Sequence, residues 1–409
     1  MKRNIVILGA GVSGNAVKKL AQVLGDDAKI VCDNDTDLLP ACDLVVASPG
    51  VPPLKSHLYQ QAENSGVELI GELEYAFRSC RFPLLAITGT NGKTTTTELT
   101  SHLLKKCGVD AVAAGNIGRP LADVVADALV SGRNPDAVAL EVSNFQLEKA
   151  PTFAPFAAAL LNLASDHEDR YRDGFAGYCR VKKSIFDRVD AAHRVYGLSF
   201  ADMPHRITRS GNSLCDGDTV LLNTRETALA ASHNQENLAA ALELTHLFLG
   251  KYPVLPGAVA DFRPGAHRIE RVAEIAGRSF IDDSKATNPH AVFAALAAMQ
   301  SPVVLLLGGL DKGMDFAPFG KLAPPEIRAV VLFGECRKKM RDALKGDFPV
   351  FDGGMDFVET LKLAAQASRQ GDAVLLSPGC ASFDMFQSYG ERGDRFREIA
   401  LQLTRDDFP

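Results

Sequence analysis

Paired cysteines, long apolar runs and repeats are all missing from this chain of 409 residues. The eight cysteines (Cys32, Cys42, Cys80, Cys107, Cys179, Cys215, Cys336 and Cys380) are scattered. None forms a Cys-x-x-Cys pair or joins histidine at zinc-ligand spacing, which excludes a zinc knuckle and favours reduced thiols. No segment approaches the roughly 18 consecutive apolar residues that a membrane span needs. Met1-Lys2-Arg3 followed by Ile5 to Leu8 begins like a secretory signal, but Gly9, Gly11, Gly14, Lys18 and Lys19 break the apolar stretch too early. The expectation is a cytoplasmic protein without a membrane span. Positive charge is not in excess either: the net charge is −6, so a broad nucleic-acid-binding surface is not expected, and cations for any phosphate must be concentrated at sites.

What is present begins at Leu85-Ala86-Ile87-Thr88, a short apolar strand that runs into Gly89-Thr90-Asn91-Gly92-Lys93-Thr94-Thr95 and a helix start. This is a phosphate cradle. Backbone N–H groups and a helix N-terminus face an anion, Lys93 neutralises charge and a Thr hydroxyl is free for Mg²⁺. The usual G-x-x-x-x-G-K-[ST] spacing is not met, because Ile87 stands where the first Gly belongs. A nucleoside triphosphate is the expected ligand.

Upstream, the strand Asn4 to Leu8, the turn Gly9-Ala10-Gly11-Val12-Ser13-Gly14, a helix from Asn15 to Leu24 and a strand ending at Asp33 make a G-x-G-x-x-G fingerprint. Its physical content is a diphosphate resting on a helix N-terminus, which a UDP-sugar supplies as well as a dinucleotide does. The competing reading is that these glycines only allow close strand–helix packing. At this length two or three domains are expected. The first unit ends near Arg81-Phe82-Pro83, a second runs from Leu84 to about Phe262, and Asp261-Phe262-Arg263-Pro264-Gly265 reads as a linker to a third. Strand and helix patterns alternate throughout, so the fold class is α/β with mostly parallel sheets.

Several polar clusters directly follow apolar strands, where α/β folds place their ligands. Glu141, at the head of Glu-Val-Ser-Asn-Phe-Gln-Leu-Glu, is a natural oxygen ligand for Mg²⁺, or else a solvated loop acid; Glu148 starts or decorates the next helix. His167, within Asp166-His167-Glu168-Asp169-Arg170-Tyr171, either binds a second Mg²⁺ or caps a helix. Lys182 and Lys183 sit on a helix and by default face solvent. Asn234 and Asn237 either read an adenine edge or cap their helix. Further on come His267-Arg268, Asp283-Ser284-Lys285-Ala286-Thr287-Asn288, Gly308 to Gly313 and Ser377-Pro378-Gly379-Cys380-Ala381-Ser382-Phe383.

Taken in order, the Gly-Thr-Asn-Gly-Lys-Thr loop, Gly115-Asn116-Ile117-Gly118, Glu141 to Glu148, Asp166 to Tyr171, His233 to Asn237, Asp283 to Asn288 and Ser377 to Phe383 closely resemble the Mur ligase superfamily across nearly the whole chain. The resemblance implies three domains, 1–83 holding a UDP substrate, 84–264 holding ATP and 265–409 closing over ATP with an amino acid. Both outer domains are Rossmann-like and the central one is a P-loop ATPase. It implies a monomer that joins D-glutamate to UDP-N-acetylmuramoyl-L-alanine by way of an acyl phosphate. By motif, Gly89 to Thr95 would hold ATP, with Lys93 on the β/γ-phosphates, Thr94 and Glu141 on one Mg²⁺, and His167 on a second. Lys182 would be carbamylated and directed at metal. Asn234, Asn237, Arg268 and Asp283 would complete the ATP site. Val12, Ser13, Asp33, Asn116, Ser143 and His167 would contact the UDP substrate, and Lys285, Thr287, Lys312, Ser382 and Phe383 would frame D-glutamate. Asn144 stands where a second Ser is usual, Ala114 replaces a frequent Gly, and Ser13 replaces Thr.

Overall fold

The computed structural model describes residues 2–166, 170–263, 265–323 and 326–409. Its chain divides into two units, one of Met1–Leu163, Tyr178–Ala230 and Asn234–Phe262, the other of Ala164–Gly177, Ala231–His233 and Arg263–Pro409.

The first unit opens with strands β1 (Asn4–Leu8), β2 (Asp27–Val31), β3 (Leu44–Ala47) and β4 (Glu68–Gly71) and helices α1 (Val12–Leu24), α2 (His57–Ser65) and α3 (Glu72–Phe77). The four strands form a parallel sheet in the order β2-β1-β3-β4. The chain continues through β5 (Leu84–Thr88), α4 (Lys93–Lys106), β6 (Ala111–Gly115), α5 (Leu121–Ser131), β7 (Ala137–Glu141), the short α6 (Asn144–Leu147), β8 (Ala157–Leu160), α7 (Phe175–Lys183) and β9 (Arg194–Tyr196). A second parallel sheet follows, in the order β6-β7-β5-β8-β9. A small antiparallel sheet of β10 (Ile207–Ser210), β11 (Ser213–Asp216) and β12 (Thr219–Asn223) precedes α8 (Ser232–Leu249) and α9 (Gly257–Ala260).

Strands such as Leu-Leu-Ala-Ile-Thr and Ala-Val-Ala-Leu-Glu are apolar almost throughout because helices cover both faces of a parallel sheet. The two parallel sheets of this unit share one core: Ile5, Ile7 and Leu20 belong to the same buried cluster as Leu84, Ala86, Leu121, Val125 and Leu140. At its rim Lys19 pairs with Asp123 and Asp127 at 2.5 and 2.7 Å. A joint sealed by a continuous apolar core does not hinge readily.

The second unit is built on β13 (Glu270–Ile275), β14 (Arg278–Asp282), α10 (Pro289–Leu296), β15 (Val303–Gly308), β16 (Ile327–Phe333), α11 (Arg337–Ala343), β17 (Val350–Gly354), α12 (Phe357–Ala367), β18 (Ala373–Gly379) and α13 (Tyr389–Gln402). Its sheet runs β13-β14-β18-β15-β16-β17 and is parallel except for the edge strand β13. The expected α/β class with mostly parallel sheets is therefore found. One local expectation is corrected: Glu148 is the C-cap of α6 instead of starting or decorating a following helix. The helix α7 stops at Lys183 before a 3₁₀ turn at Ser184–Phe186.

Candidate active site

Strand order decides which loops meet. In the second parallel sheet β5 lies between β7 and β8, so the loop after β5 is flanked by Glu141 at the end of β7 and by Asn162 just past β8. The loop needs its glycines: Gly89 and Gly92 have φ of +153° and +84°, and a Cβ on Gly92 would collide with the Asn237 side chain. Gly92 is also the N-cap of α4 and carries no side chain to cap it, the kind of helix N-terminus that suits an anion. Lys93 Nζ donates to the carbonyls of Gly89 (2.9 Å) and Thr90 (2.8 Å), holding the ammonium over the loop. Thr94 is half-buried beside it and Thr95 is buried.

Asn162 was not expected to act here, yet it clamps the loop from both directions. Its Oδ1 accepts the Asn91 N–H at 2.9 Å, its Nδ2 donates to the Asn91 carbonyl at 3.1 Å, and its own carbonyl accepts the Thr90 N–H at 3.0 Å. The signal was its place directly after an apolar strand.

Glu141 is 2% exposed. Its Oε1 accepts from Asn116 Nδ2 at 2.9 Å, whereas Oε2 is buried with no hydrogen-bond partner, as is the neighbouring Thr88 hydroxyl. A buried carboxylate oxygen without a donor is costly unless a cation meets it, so the solvated-acid alternative is excluded, and this free oxygen suits a hard cation such as Mg²⁺. Lys182 is 1% exposed, which overturns the solvent-facing default, while Lys183 is exposed as expected. Lys182 Nζ lies 4.9 Å from the Tyr178 ring centroid, and the Tyr178 hydroxyl is 2.9 Å from Thr90 Oγ1, linking this lysine to the phosphate loop. His167 lies outside the described residues.

Other expected residues have structural duties. Ser143 is 7% exposed and is the N-cap of α6 in a reciprocal box with Gln146: Ser143 Oγ accepts the Gln146 N–H at 3.3 Å, and Gln146 Oε1 accepts the Ser143 N–H at 3.0 Å. Asn237 is buried, accepts from Thr96 Oγ1 at 3.3 Å and packs on Gly92; Asn234 Oδ1 lies 3.5 Å from Asn237 Nδ2. Asp33 Oδ1 accepts from Ser56 Oγ and the Leu58 N–H, both at 3.0 Å, and faces His57. Burial would raise this carboxyl, but those hydrogen bonds outweigh it and hold it below the usual range. In the first fingerprint Gly14 is demanded by packing, since a Cβ would overlap the Gly9 carbonyl, while a Cβ on Gly11 would meet open space. The α1 N-terminus, beginning at exposed Val12 and half-buried Ser13, has no side-chain cap.

In the second unit β14, β18 and β15 are neighbours, so the loops after all three lie together. Asp283 is buried, accepts from Ser377 Oγ at 2.8 Å and is pushed up to about 8 by burial, with the Arg268 charge opposing. Lys285 Nζ stands 3.8 Å from the Tyr389 ring centroid and Lys312 Nζ 5.2 Å from that of Phe383, itself 61% exposed. Thr287 is half-buried and Ser382 is buried. Sequence reading missed Arg392. Fully buried on α13, it donates to Ser284 Oγ (2.9 Å), the Ser284 carbonyl (2.8 Å) and the Cys380 carbonyl (3.2 Å), pinning both loops. The cysteines scattered in sequence also meet here: Cys336 and Cys380 thiols are 3.2 Å apart, and the Cys336 hydrogen bond and burial push Cys380 up, keeping it protonated. His267, Glu270 and Asp282 are close enough for a cation, but they are spent on one another and on Arg397.

Comparison with known proteins identifies the family. Residues 87–216 match the Mur ligase middle domain and 267–380 the Mur ligase, glutamate ligase domain. The chain is 37% identical to a UDP-N-acetylmuramoylalanine–D-glutamate ligase of Desulfosudis oleivorans, over 99% of this chain and 97% of that one. It is also 37% identical to the enzyme of that name from Salinibacter ruber, over 88% and 85%. The MurF ligase of Thermotoga maritima, solved with ADP, shares the fold with a TM-score of 0.59 at 15% identity, covering 98% of this chain and 96% of that one. The chain belongs to the UDP-N-acetylmuramoylalanine–D-glutamate ligase family of Mur ligases.

Proposed function

We propose that this protein joins D-glutamate to UDP-N-acetylmuramoyl-L-alanine at the expense of ATP, a step of peptidoglycan precursor synthesis. The observation that carries the reading is Glu141: a buried carboxylate with one oxygen fixed by Asn116 and the other without a partner, beside a loop shaped for phosphate.

Phosphoryl transfer calls for alignment and charge neutralisation more than for covalent help. Lys93 and the N–H groups of Gly89 to Thr95 hold the β- and γ-phosphates. Thr94 and Glu141 are the residues that would hold one Mg²⁺ ion, and His167 and a carbamylated Lys182 a second; bound magnesium supplies further neutralisation of the transferred group. Burial supports the lysine assignment, because carbamylation turns a desolvated ammonium into a group that a metal can pair. The open N-terminus of α1 at Val12 and Ser13 suits the UDP diphosphate, with Asp33, Asn116 and Ser143 along the same substrate. The acceptor carboxylate attacks the γ-phosphorus, ADP leaves, and the amine of D-glutamate displaces phosphate from the acyl carbon to form the amide. Lys285, Thr287, Lys312, Ser382 and Phe383 frame that dianion, while Arg268 and Asp283, with Asn234 and Asn237, serve ATP. In this reading 1–83, 84–264 and 265–409 are three functional domains.

An amino-acid panel tests it. Phosphate release and amide formation are expected with D-glutamate and not with L-glutamate, L-lysine or diaminopimelate; greater turnover with one of the latter would move the protein to another amide ligase activity.

A further inference from the structure

Glu72 belongs to none of the motifs described above. It is the first residue of α3 and fully buried. Its Oε1 accepts the Ala122 N–H at 2.8 Å. Ala122 lies in the first turn of α5, whose N-cap, Pro120, has no side chain able to cap it. Glu72 therefore caps from another element the helix that follows the Asn116 loop. On its other side the carboxyl faces the Gln146 side chain, which is locked to Ser143 two residues beyond Glu141. Glu72 Oε2 is buried without a hydrogen-bond partner. Next to it, the Gly71 N–H donates to the Lys149 carbonyl at 2.8 Å, so β4 of the first sheet is tied to the segment after α6.

A carboxyl in such a place is expensive. An apolar side chain of similar size would fill the same space without the desolvation penalty. Burial raises the Glu72 carboxyl above its usual range, against the weaker pull of Ala122 and Gln146. What the carboxyl contributes is geometric: it caps α5, which follows the loop whose Asn116 donates to Glu141, and it faces Gln146 of the turn that begins two residues after Glu141.

We infer that Glu72 is a positioning residue of the phosphoryl-transfer site, holding the Asn116 loop and the Ser143–Gln146 turn in register around Glu141 and fixing both to the sheet that carries the UDP end. The inference rests on the ligase reading above. Glu72 is fully buried, so its loss is expected to act on turnover and not on ATP affinity.

The test compares full-length wild type, Glu72→Gln, Glu72→Leu, Gln146→Leu and the E72L/Q146L double variant for kcat, KM of each substrate and ATP affinity by calorimetry. Glu72→Leu is expected to lower kcat by about 10-fold to 100-fold, the scale of a small misplacement of reacting groups, with ATP affinity within about twofold of wild type. Glu72→Gln, whose amide oxygen still accepts the Ala122 N–H, should recover most of that loss. The double variant should be no slower than the slower single one, because both remove one link. A folded Glu72→Leu enzyme with wild-type kcat, a Glu72→Gln enzyme as slow as it, or losses that multiply in the double variant would each overturn the inference. Should Glu72→Leu fail to fold, Gln146→Leu carries the same expectation of lowered kcat at preserved ATP affinity, and unchanged kcat there counts against it. Wild type that binds ATP but makes no amide with D-glutamate removes the ligase reading and this inference together; active wild type with indifferent variants removes the inference alone.

Discussion

Lys93, Asp283 and Ser143 show how differently single side chains bear on this protein. Lys93 holds its ammonium over the loop after β5, and in the proposed reaction its removal deletes charge where the transferred phosphoryl needs it. Lys93→Ala is expected to lower ADP formation by about 100-fold or more, with binding of the UDP substrate, measured by calorimetry, nearly unchanged. Equal loss of both would contradict the assignment. Asp283 gives a pH signature. Burial raises it to about 8, so the folded chain keeps a proton that the unfolded chain, with a carboxyl near 4, releases. The resulting stability is complete below about pH 4, shrinks as pH rises and is gone above about 8. Melting temperature should thus fall across that window, and Asp283→Asn should flatten the fall; parallel melting profiles would show that Asp283 does not titrate as described. Ser143 caps α6, and Ser143→Ala should cost about 1 kcal/mol in denaturant unfolding. Residue types in sequence singled out Lys93 and Glu141 because strand, turn and charge are contiguous there. They did not disclose Arg392, Asn162 or Glu72, whose partners lie tens of residues away in the chain; Glu72 nevertheless follows β4 as Glu141 terminates β7, so the same strand-end signal was present.

At the scale of elements, the parallel strands were legible because burial on both faces makes them continuous apolar runs, as in Val-Val-Leu-Leu-Leu-Gly of β15. Helix ends and the antiparallel pieces were less so. The strand β13 is only half-buried and carries alternating charge, and the turn at Ser184 that ends α7 has no Pro or Gly to announce it. Periodicity also could not say which face of α7 packs inward, and therefore left Lys182 on the wrong side until a resemblance and then its burial corrected it. The two parallel sheets of the first unit share a core across α1, α3 and α5, and this sets a contrast between two substitutions. Leu121→Ala, deep in that core, should cost about 2–5 kcal/mol in chemical denaturation. Lys19→Ala, which removes only the exposed pairs to Asp123 and Asp127, should cost less than about 1 kcal/mol. The reverse order would mean that charge, not apolar burial, joins the two sheets.

For the molecule as a whole, each unit gathers its polar loops at the carboxyl edge of a parallel sheet, the place where an α/β fold leaves room for ligands. No helix among the described residues is long and apolar enough to cross a membrane. In the proposed reaction an acceptor carboxylate takes the γ-phosphoryl group of ATP before the amine of D-glutamate arrives. This step is tested most directly by supplying UDP-N-acetylmuramoyl-L-alanine labelled with ¹⁸O in its free carboxylate and following the label by mass spectrometry during turnover with ATP and D-glutamate. One ¹⁸O is expected in the released inorganic phosphate for each amide formed, with ADP unlabelled. Amide formation with unlabelled phosphate, or label appearing in AMP, would contradict this step.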